Sequence, residues 1–264
     1  MNSTILQGRT ALITGASSGL GADFARQLAA RGCHLILVAR REDRLRGLEQ
    51  EIALQYPVEI SVIPMDLSRR GAPQALYDQV TAAAKTVDVL INNAGFGLHG
   101  HFLEIPWERE EEMLMLDIVT VVHMTKLFAK GMVERNFGYI LQIASIGAYQ
   151  SSPTYASYAA AKAFVLHYGE AINYELRRSN VRCTVLSPGI TATEFLEVAG
   201  QRPSFYQRLV MMDSSTVVRI GIESLLSGRP SIVAGRLNAF TVWLNRIMPR
   251  RWATAIAERL VSIS

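Results

Sequence analysis

Lysine is scarce in this chain: Lys85, Lys126, Lys130 and Lys162 are the only four among 264 residues, and arginine carries the rest of the positive charge. A lysine set beside a chemically useful group is therefore conspicuous. The two cysteines, Cys33 and Cys183, fall in apolar runs that read as strands. That placement suits reduced, buried thiols of a cytoplasmic protein and excludes a disulfide framework. No His, Cys, Asp or Glu grouping has metal-ligand spacing, so no metal is expected. No stretch reaches the roughly 18 apolar residues that a membrane span needs, and the N-terminus has no charged segment ahead of a long apolar run, so a soluble protein is expected. The net charge is only +4 with arginines dispersed along the chain, which argues against a nucleic-acid partner. Neither an internal repeat nor a linker divides the sequence.

What is present is core-forming material. Hydrophobic residues make up 49% and charged residues 19%, ample for one large α/β domain over residues 1–264. Apolar runs alternate with helical periodicity through residue 190, which implies a doubly wound, Rossmann-like parallel sheet flanked by helices, with ligands at the C-terminal strand ends. The expected strands are "RTALITG" to Gly15, "CHLILVAR" from Cys33, "VEISVIPMDLS", "VDVLINNAG", "GYILQIAS", "VRCTVLSPG" and a short seventh near Ser231–Ala234. The first runs into Gly15, Ser17, Ser18, Gly19 and Gly21 and then a helix from Leu20 to Arg31. Glycines at such a turn let a pyrophosphate approach the helix N-terminus, although tight turns use glycine in any case.

The second strand ends in Ala39, Arg40 and Arg41, with no acid until Glu42. A carboxylate there would bind a ribose 2′-hydroxyl, whereas arginine accommodates a 2′-phosphate, so NADP is favoured over NAD. The competing reading makes these arginines solvated charges at a helix start. The third strand is expected to end at Asp66, a possible acceptor for the adenine amino group, with the Leu67 backbone lining the ring. Asn92, Asn93, Ala94 and Gly95 end the fourth strand in small and amide residues, which suit either a packed cofactor or a plain turn.

One long helix is expected from Trp107 to Arg135, acids first and bases last, apolar on most of its circumference. The fifth strand then delivers Ser145. Thirteen residues on, Tyr158-x-x-x-Lys162 places a phenol and an ammonium on one helical face. Nine tyrosines and four lysines produce such a pair by chance roughly 0.14 times in this chain, so alone it also reads as an ordinary amphipathic pair. Its chemistry is suggestive, since a phenol is a poor acid at neutral pH unless a neighbouring cation stabilises its anion, and a serine hydroxyl can hold the carbonyl it protonates. The sixth strand ends at Pro188 and Gly189, and Thr191 and Thr193 follow with hydroxyls placed to meet a carboxamide.

Taken together, "TGASSGLG" from Thr14 to Gly21, Asp66, "NNAG" from Asn92, Ser145, Tyr158-x-x-x-Lys162, "PG" at 188 and Thr193 resemble the short-chain dehydrogenase/reductase family over almost the whole chain. The resemblance implies that Ser145 polarises a carbonyl, Tyr158 exchanges the proton, and Lys162 lowers the tyrosine pKa and binds the nicotinamide ribose. It implies that Gly15, Gly19 and Gly21 carry the pyrophosphate turn of NADP(H), with Asn93 and Thr193 at the ribose and nicotinamide. The family has an asparagine in the middle of the long helix where this chain has Asp117, a departure at the proton relay: the carboxylate is expected either near Lys162, as an ion pair or held protonated by burial, or a turn away with a packing role only. The family also pairs this helix and the Tyr158 helix across a two-fold axis, so a homodimer or homotetramer is expected.

Residues 194–212, mixing aromatics and aliphatics with Pro203, occupy the place of the family's substrate lid and suggest an apolar pocket. The tail, 236–264, is amphipathic, with Trp243, Ile247, Trp252, Ile256 and Leu260 among arginines. It suits a subunit contact, a cover over the pocket or a membrane surface. The expected activity is an NADPH-dependent carbonyl reductase, or secondary alcohol dehydrogenase, on a bulky apolar ketone. A ketoacyl-lipid reductase at a membrane surface and a non-catalytic NADP-binding regulator are the alternatives, the latter disfavoured by the intact Ser-Tyr-Lys set.

Overall fold

The computed structural model describes residues 5–201 and 210–262, with side chains through residue 259. Residues 202–209 of the expected lid, Pro203 among them, and the Leu260 side chain lie outside the described residues.

Seven parallel strands form one sheet: β1 (Thr10–Thr14), β2 (His34–Ala39), β3 (Ile60–Pro64), β4 (Val89–Asn92), β5 (Gly138–Ile143), β6 (Val181–Ser187) and β7 (Ser231–Val233). Their order is β3-β2-β1-β4-β5-β6-β7. The near-continuous apolar runs follow from burial on both faces. In β1, Ile13 joins the cluster of Phe24, Leu28, Leu35, Ile91 and Leu186, while its neighbour Leu12 joins Ile36, Leu76, Leu90, Met124 and Phe128 on the other face. Between β1 and β4 the order reverses direction, and crossovers leave that point on opposite sides. A crevice opens there at the strand ends.

The helices are α1 (Gly19–Ala29), α2 (Glu42–Ala53), α3 (Ala72–Ala82), α4 (Trp107–Leu114), α5 (Val121–Glu134), α6 (Ala156–Glu175), α7 (Phe195–Val198), α8 (Ser214–Leu226), α9 (Arg236–Asn245) and α10 (Arg250–Ser262). The expected unbroken helix from Trp107 to Arg135 is instead two α-helices joined by a π segment, Met115–Thr120. One further expectation shifts. The third strand, at the sheet edge, stops at Pro64, with Met65 N–H making a last bond to the Ala39 carbonyl, and Asp66 sits in the loop beyond. The α6 helix ends at Glu175 and tightens into a 3₁₀ turn, Leu176–Arg178. Both cysteines are free and buried, Cys33 one residue ahead of β2 and Cys183 within β6. Burial pushes the Cys33 thiol up to about 12, so it stays protonated and inert at neutral pH.

Candidate active site

The glycine turn is built for close packing. Gly15 has φ +68°, and a Cβ on it would lie 2.9 Å from the Ala94 Cα, so the end of β4 presses directly on the turn. A Cβ on Gly21 would collide with the Gly15 carbonyl oxygen. Beneath, the Asn93 amide donates to the Thr14 and Gly15 carbonyls at 2.9 and 3.3 Å, and the Thr14 hydroxyl accepts from the Asn93 and Ala94 N–H groups. Asn93 therefore ties β4 to the turn from behind, a role its expected ribose contact did not include. Ser18, which precedes α1, makes no side-chain cap to the helix, leaving the N-terminal N–H groups as donors for an anion.

At the end of β2 the two arginines diverge. Arg41 donates to the Ser17 hydroxyl at 3.2 Å, the Ser18 hydroxyl at 2.8 Å and Glu194 Oε2 at 2.9 Å, closing over the turn. Arg40, largely exposed, reaches Glu112 at 3.3 Å. Exposed pairs of this kind contribute about 0–1 kcal/mol, so a phosphate can take either guanidinium from its partner at small cost. Asp66 accepts from the Ser68 hydroxyl and N–H. Burial opposes its charge, yet those bonds and the nearby Arg40 and Arg69 hold its carboxyl below the usual range. An open cleft of about 750 Å³ borders the turn, lined by Ser17, Ser18, Gly19, Arg44, Thr193 and Glu194 among others. Thr193 packs its methyl against Gly19, its hydroxyl accepts from Phe195 N–H, and Thr191 donates to the Gly189 carbonyl. The bare turn, the uncapped helix and the arginines fit a phosphorylated dinucleotide.

Ser145 stands two residues past β5. Its Oγ accepts from Gly147 N–H at 3.1 Å, which leaves its own proton to donate outward. Tyr158 and Lys162 project from α6, with Nζ 5.7 Å from the centre of the phenol ring. Lys162 Nζ donates to the Ile143 carbonyl at 3.2 Å and lies 3.1 Å from Asp117 Oδ2. This is a buried ion pair, the side chains 6% and 0% exposed. Asp117 Oδ1 accepts from Phe96 N–H at 3.3 Å. Burial raises the Asp117 carboxyl, and Lys162 and the Phe96 amide pull it back.

The electrostatics at Tyr158 depart from expectation. The residue is half-buried, and burial raises its pKa above the ordinary phenol value. The Asp117 carboxylate raises it further, and a hydrogen bond to Ser145 lowers it. Sequence reasoning assigned the tuning of the phenol to Lys162 and weighed an Asp117–Lys162 ion pair, which the structure contains at 3.1 Å, but not a direct effect of the Asp117 charge on Tyr158.

The apolar pocket expected from 194–212 takes the form of an aromatic wall around the phenol, whose members from elsewhere in the chain were not foreseen. Tyr155 lies 5.9 Å and Phe195 5.3 Å from the Tyr158 ring, and His99 lies 5.1 Å from Tyr155. The Tyr155 hydroxyl donates to Gln201 at 2.7 Å. His99 Nε2 is buried with no hydrogen-bond partner among the described residues. Tyr155 sits three residues before Tyr158 and carried a spacing signal. His99 arrives from the loop after β4 and carried none, whereas Phe195, which opens α7, and Gln201 belong to the 194–212 segment expected to form the lid.

A parallel sheet with its crevice at the β1/β4 reversal, and a serine, a tyrosine and a lysine gathered at the C-terminal strand ends, define a dinucleotide-dependent oxidoreductase scaffold. Residues 9–203 match the family model described as short chain dehydrogenase, and the chain belongs to that family. A very-long-chain 3-oxoacyl-CoA reductase of Anas platyrhynchos is 31% identical over 92% of this chain and 76% of its own. An uncharacterized oxidoreductase of Myxococcus xanthus is 27% identical over 96% of this chain and 97% of its own. Among solved structures, a 7beta-hydroxysteroid dehydrogenase superposes with TM-score 0.88 at 25% identity, covering 97% of this chain and 99% of that one. A Sphingobium yanoikuyae short-chain dehydrogenase in complex with NADPH superposes with TM-score 0.80 at 28% identity, covering 91% and 95%.

Proposed function

We propose that the chain is an NADPH-dependent carbonyl reductase, reversible as a secondary alcohol dehydrogenase, acting on a bulky apolar ketone. The observation that carries this reading is the phenol of Tyr158, held beside Ser145 and Lys162 and walled by Tyr155, Phe195 and His99. A carbonyl oxygen placed between Ser145 Oγ and the phenol accepts a hydrogen bond from the serine and the proton from the tyrosine. Lys162 supplies positive charge next to the phenolate that results, and Asp117 and the Ile143 carbonyl hold the lysine in place. Bound at the glycine turn, NADPH would supply the hydride; Arg41, Arg40 and Ser17 would meet its 2′-phosphate. The aromatic lining favours a substrate with a broad apolar body, as do the likenesses to a hydroxysteroid dehydrogenase and to a bulky-bulky ketone specific alcohol dehydrogenase of Comamonas testosteroni, which superposes with TM-score 0.76 at 26% identity over 91% of this chain and 93% of that one.

The second reading is reduction of long 3-oxoacyl thioesters, favoured by the similarity to the 3-oxoacyl-CoA reductases. A panel of steroid ketones, diaryl ketones and 3-oxoacyl thioesters of increasing chain length, each with NADPH and NADH and followed at the nicotinamide absorbance, separates the two. Turnover of bulky ketones above that of the thioesters supports the first reading. The reverse order supports the second, and no turnover of either class removes both.

A further inference from the structure

The C-terminal helices have more apolar surface than the fold uses. In α9, Asn238, Val242 and Asn245 face inward: Asn238 donates to the Ala234 carbonyl at 2.8 Å, Val242 is buried, and Asn245 donates to Gln150 at 2.5 Å. At helical spacing, the opposite face carries Phe240 and Trp243 with Leu237 beside them, and Ile247 follows in the turn after the helix. A surface helix usually turns its polar face to solvent, and this one does the opposite. In α10 the buried residues among those with described side chains are Ala253 and Ala257, while Trp252 and Ile256 face outward. Leu237, Phe240, Trp243, Ile247, Trp252 and Ile256 are each between 45% and 68% exposed, and Phe240 stacks on Trp243 at 5.9 Å.

Charge accompanies this apolar face. Residues 236–264 contain Arg236, Arg246, Arg250, Arg251 and Arg259 against Glu258 alone. The other 235 residues then hold 22 basic and 22 acidic side chains, so the whole formal excess of +4 resides in this tail. A second copy of the chain would be a poor cover. A two-fold interface sets a patch against itself, and here it would bring five arginines onto five. An anionic bilayer surface supplies the counter-charge, and tryptophan is suited to the headgroup level, where its ring is apolar and its N–H wet. The arginine stems can lie along the apolar zone with their guanidinium groups at the phosphates.

We propose that α9 and α10 form an interfacial docking surface for an anionic phospholipid membrane, bound in its plane without crossing it. No described helix is long and apolar enough to cross a membrane. The surface also adjoins the catalytic end of the sheet. Through Asn245 and Gln150, α9 is tied to the segment that follows Ser145, and on the same end the loop after β4 exposes Phe102 and Leu103 and the start of α4 exposes Trp107. A lipophilic ketone dissolved in the bilayer would thus meet the enzyme close to its site.

The test uses the purified full chain in flotation with vesicles of phosphatidylcholine alone or with one-third phosphatidylglycerol, at low and high salt, beside a Trp243→Ala/Trp252→Ala variant and an Arg246→Gln/Arg250→Gln/Arg251→Gln variant. Binding to the phosphatidylglycerol vesicles that weakens with salt supports the proposal, with at least a tenfold loss of partitioning in either variant. Turnover of a water-soluble ketone should be retained in both, which shows that they are folded and keeps the docking question separate from the reaction. Absence of flotation by the wild-type chain, or flotation undiminished in the variants, overturns it. A fall in molecular mass of the tryptophan variant in light scattering, without lipid, also overturns it, because the face would then belong to a second copy.

Discussion

Tyr158→Phe keeps the ring against Tyr155 and Phe195 and removes one oxygen. Turnover is expected to fall by about 10²–10⁴, the usual contribution of a positioned acid, with NADPH affinity by fluorescence titration unchanged. Tyr155→Phe removes a hydroxyl that donates to Gln201 and should cost far less in turnover. The reverse ranking would reassign the proton donor. Asp117→Asn tests the buried pair differently. The Asp117 charge raises the Tyr158 pKa, so removing it lets the phenol ionise at lower pH. In alcohol oxidation the phenolate is the working form, and the rise of kcat/KM should begin at lower pH. In ketone reduction the phenol is the working form, and the fall should begin at lower pH as well. Superimposable profiles for the variant and the wild-type chain would remove Asp117 from the electrostatics of the reaction and leave it a packing role at the π segment.

At the scale of elements, the turn between β1 and α1 and the end of β2 act as one unit, and cofactor choice belongs to it. With Ala39 in place of a carboxylate and Arg40 and Arg41 following, NADPH should be preferred over NADH by about one to a few kcal/mol in catalytic efficiency. Arg40→Asp should shift the ratio towards NADH, and a ratio near one in the wild-type chain would count against the assignment. This unit was legible in the sequence because its signals are local: glycines at fixed offsets, a strand before them, a charge at a strand end. The Ser-Tyr-Lys set was legible for the same reason. The π segment was not, since Met115–Thr120 differs from its flanks in hydrogen-bond register and hardly in composition. The pairing of Asp117 with Lys162, 45 positions apart in sequence, could be weighed from the sequence against packing a turn away but not decided, because it depends on how the π segment packs on α6. The use of the Asn93 side chain beneath the turn was also hidden, because an amide at a strand end can face the ligand or the backbone equally well.

The whole molecule presents two apolar faces of different character. The outer side of the π segment, α5 and α6 exposes Val119, Val133 and Phe164, with a shallow hollow lined by Ile118, Val119, Val122, His123 and Lys126. This face carries little charge and suits self-pairing, so a dimer or tetramer is expected in light scattering at micromolar concentration, with Phe164→Glu lowering the mass. A strictly monomeric wild-type chain would refute this. The other face, the tail, carries all the net charge, and its segregation makes the molecule strongly dipolar: a balanced body with a positive end. Near an anionic surface such a body experiences a torque as well as an attraction, felt within roughly the 8 Å screening length of physiological salt. It would turn before it touches, arriving with the catalytic edge of the sheet already towards the surface, so that orientation is set by where the charges are placed and not by a search after contact.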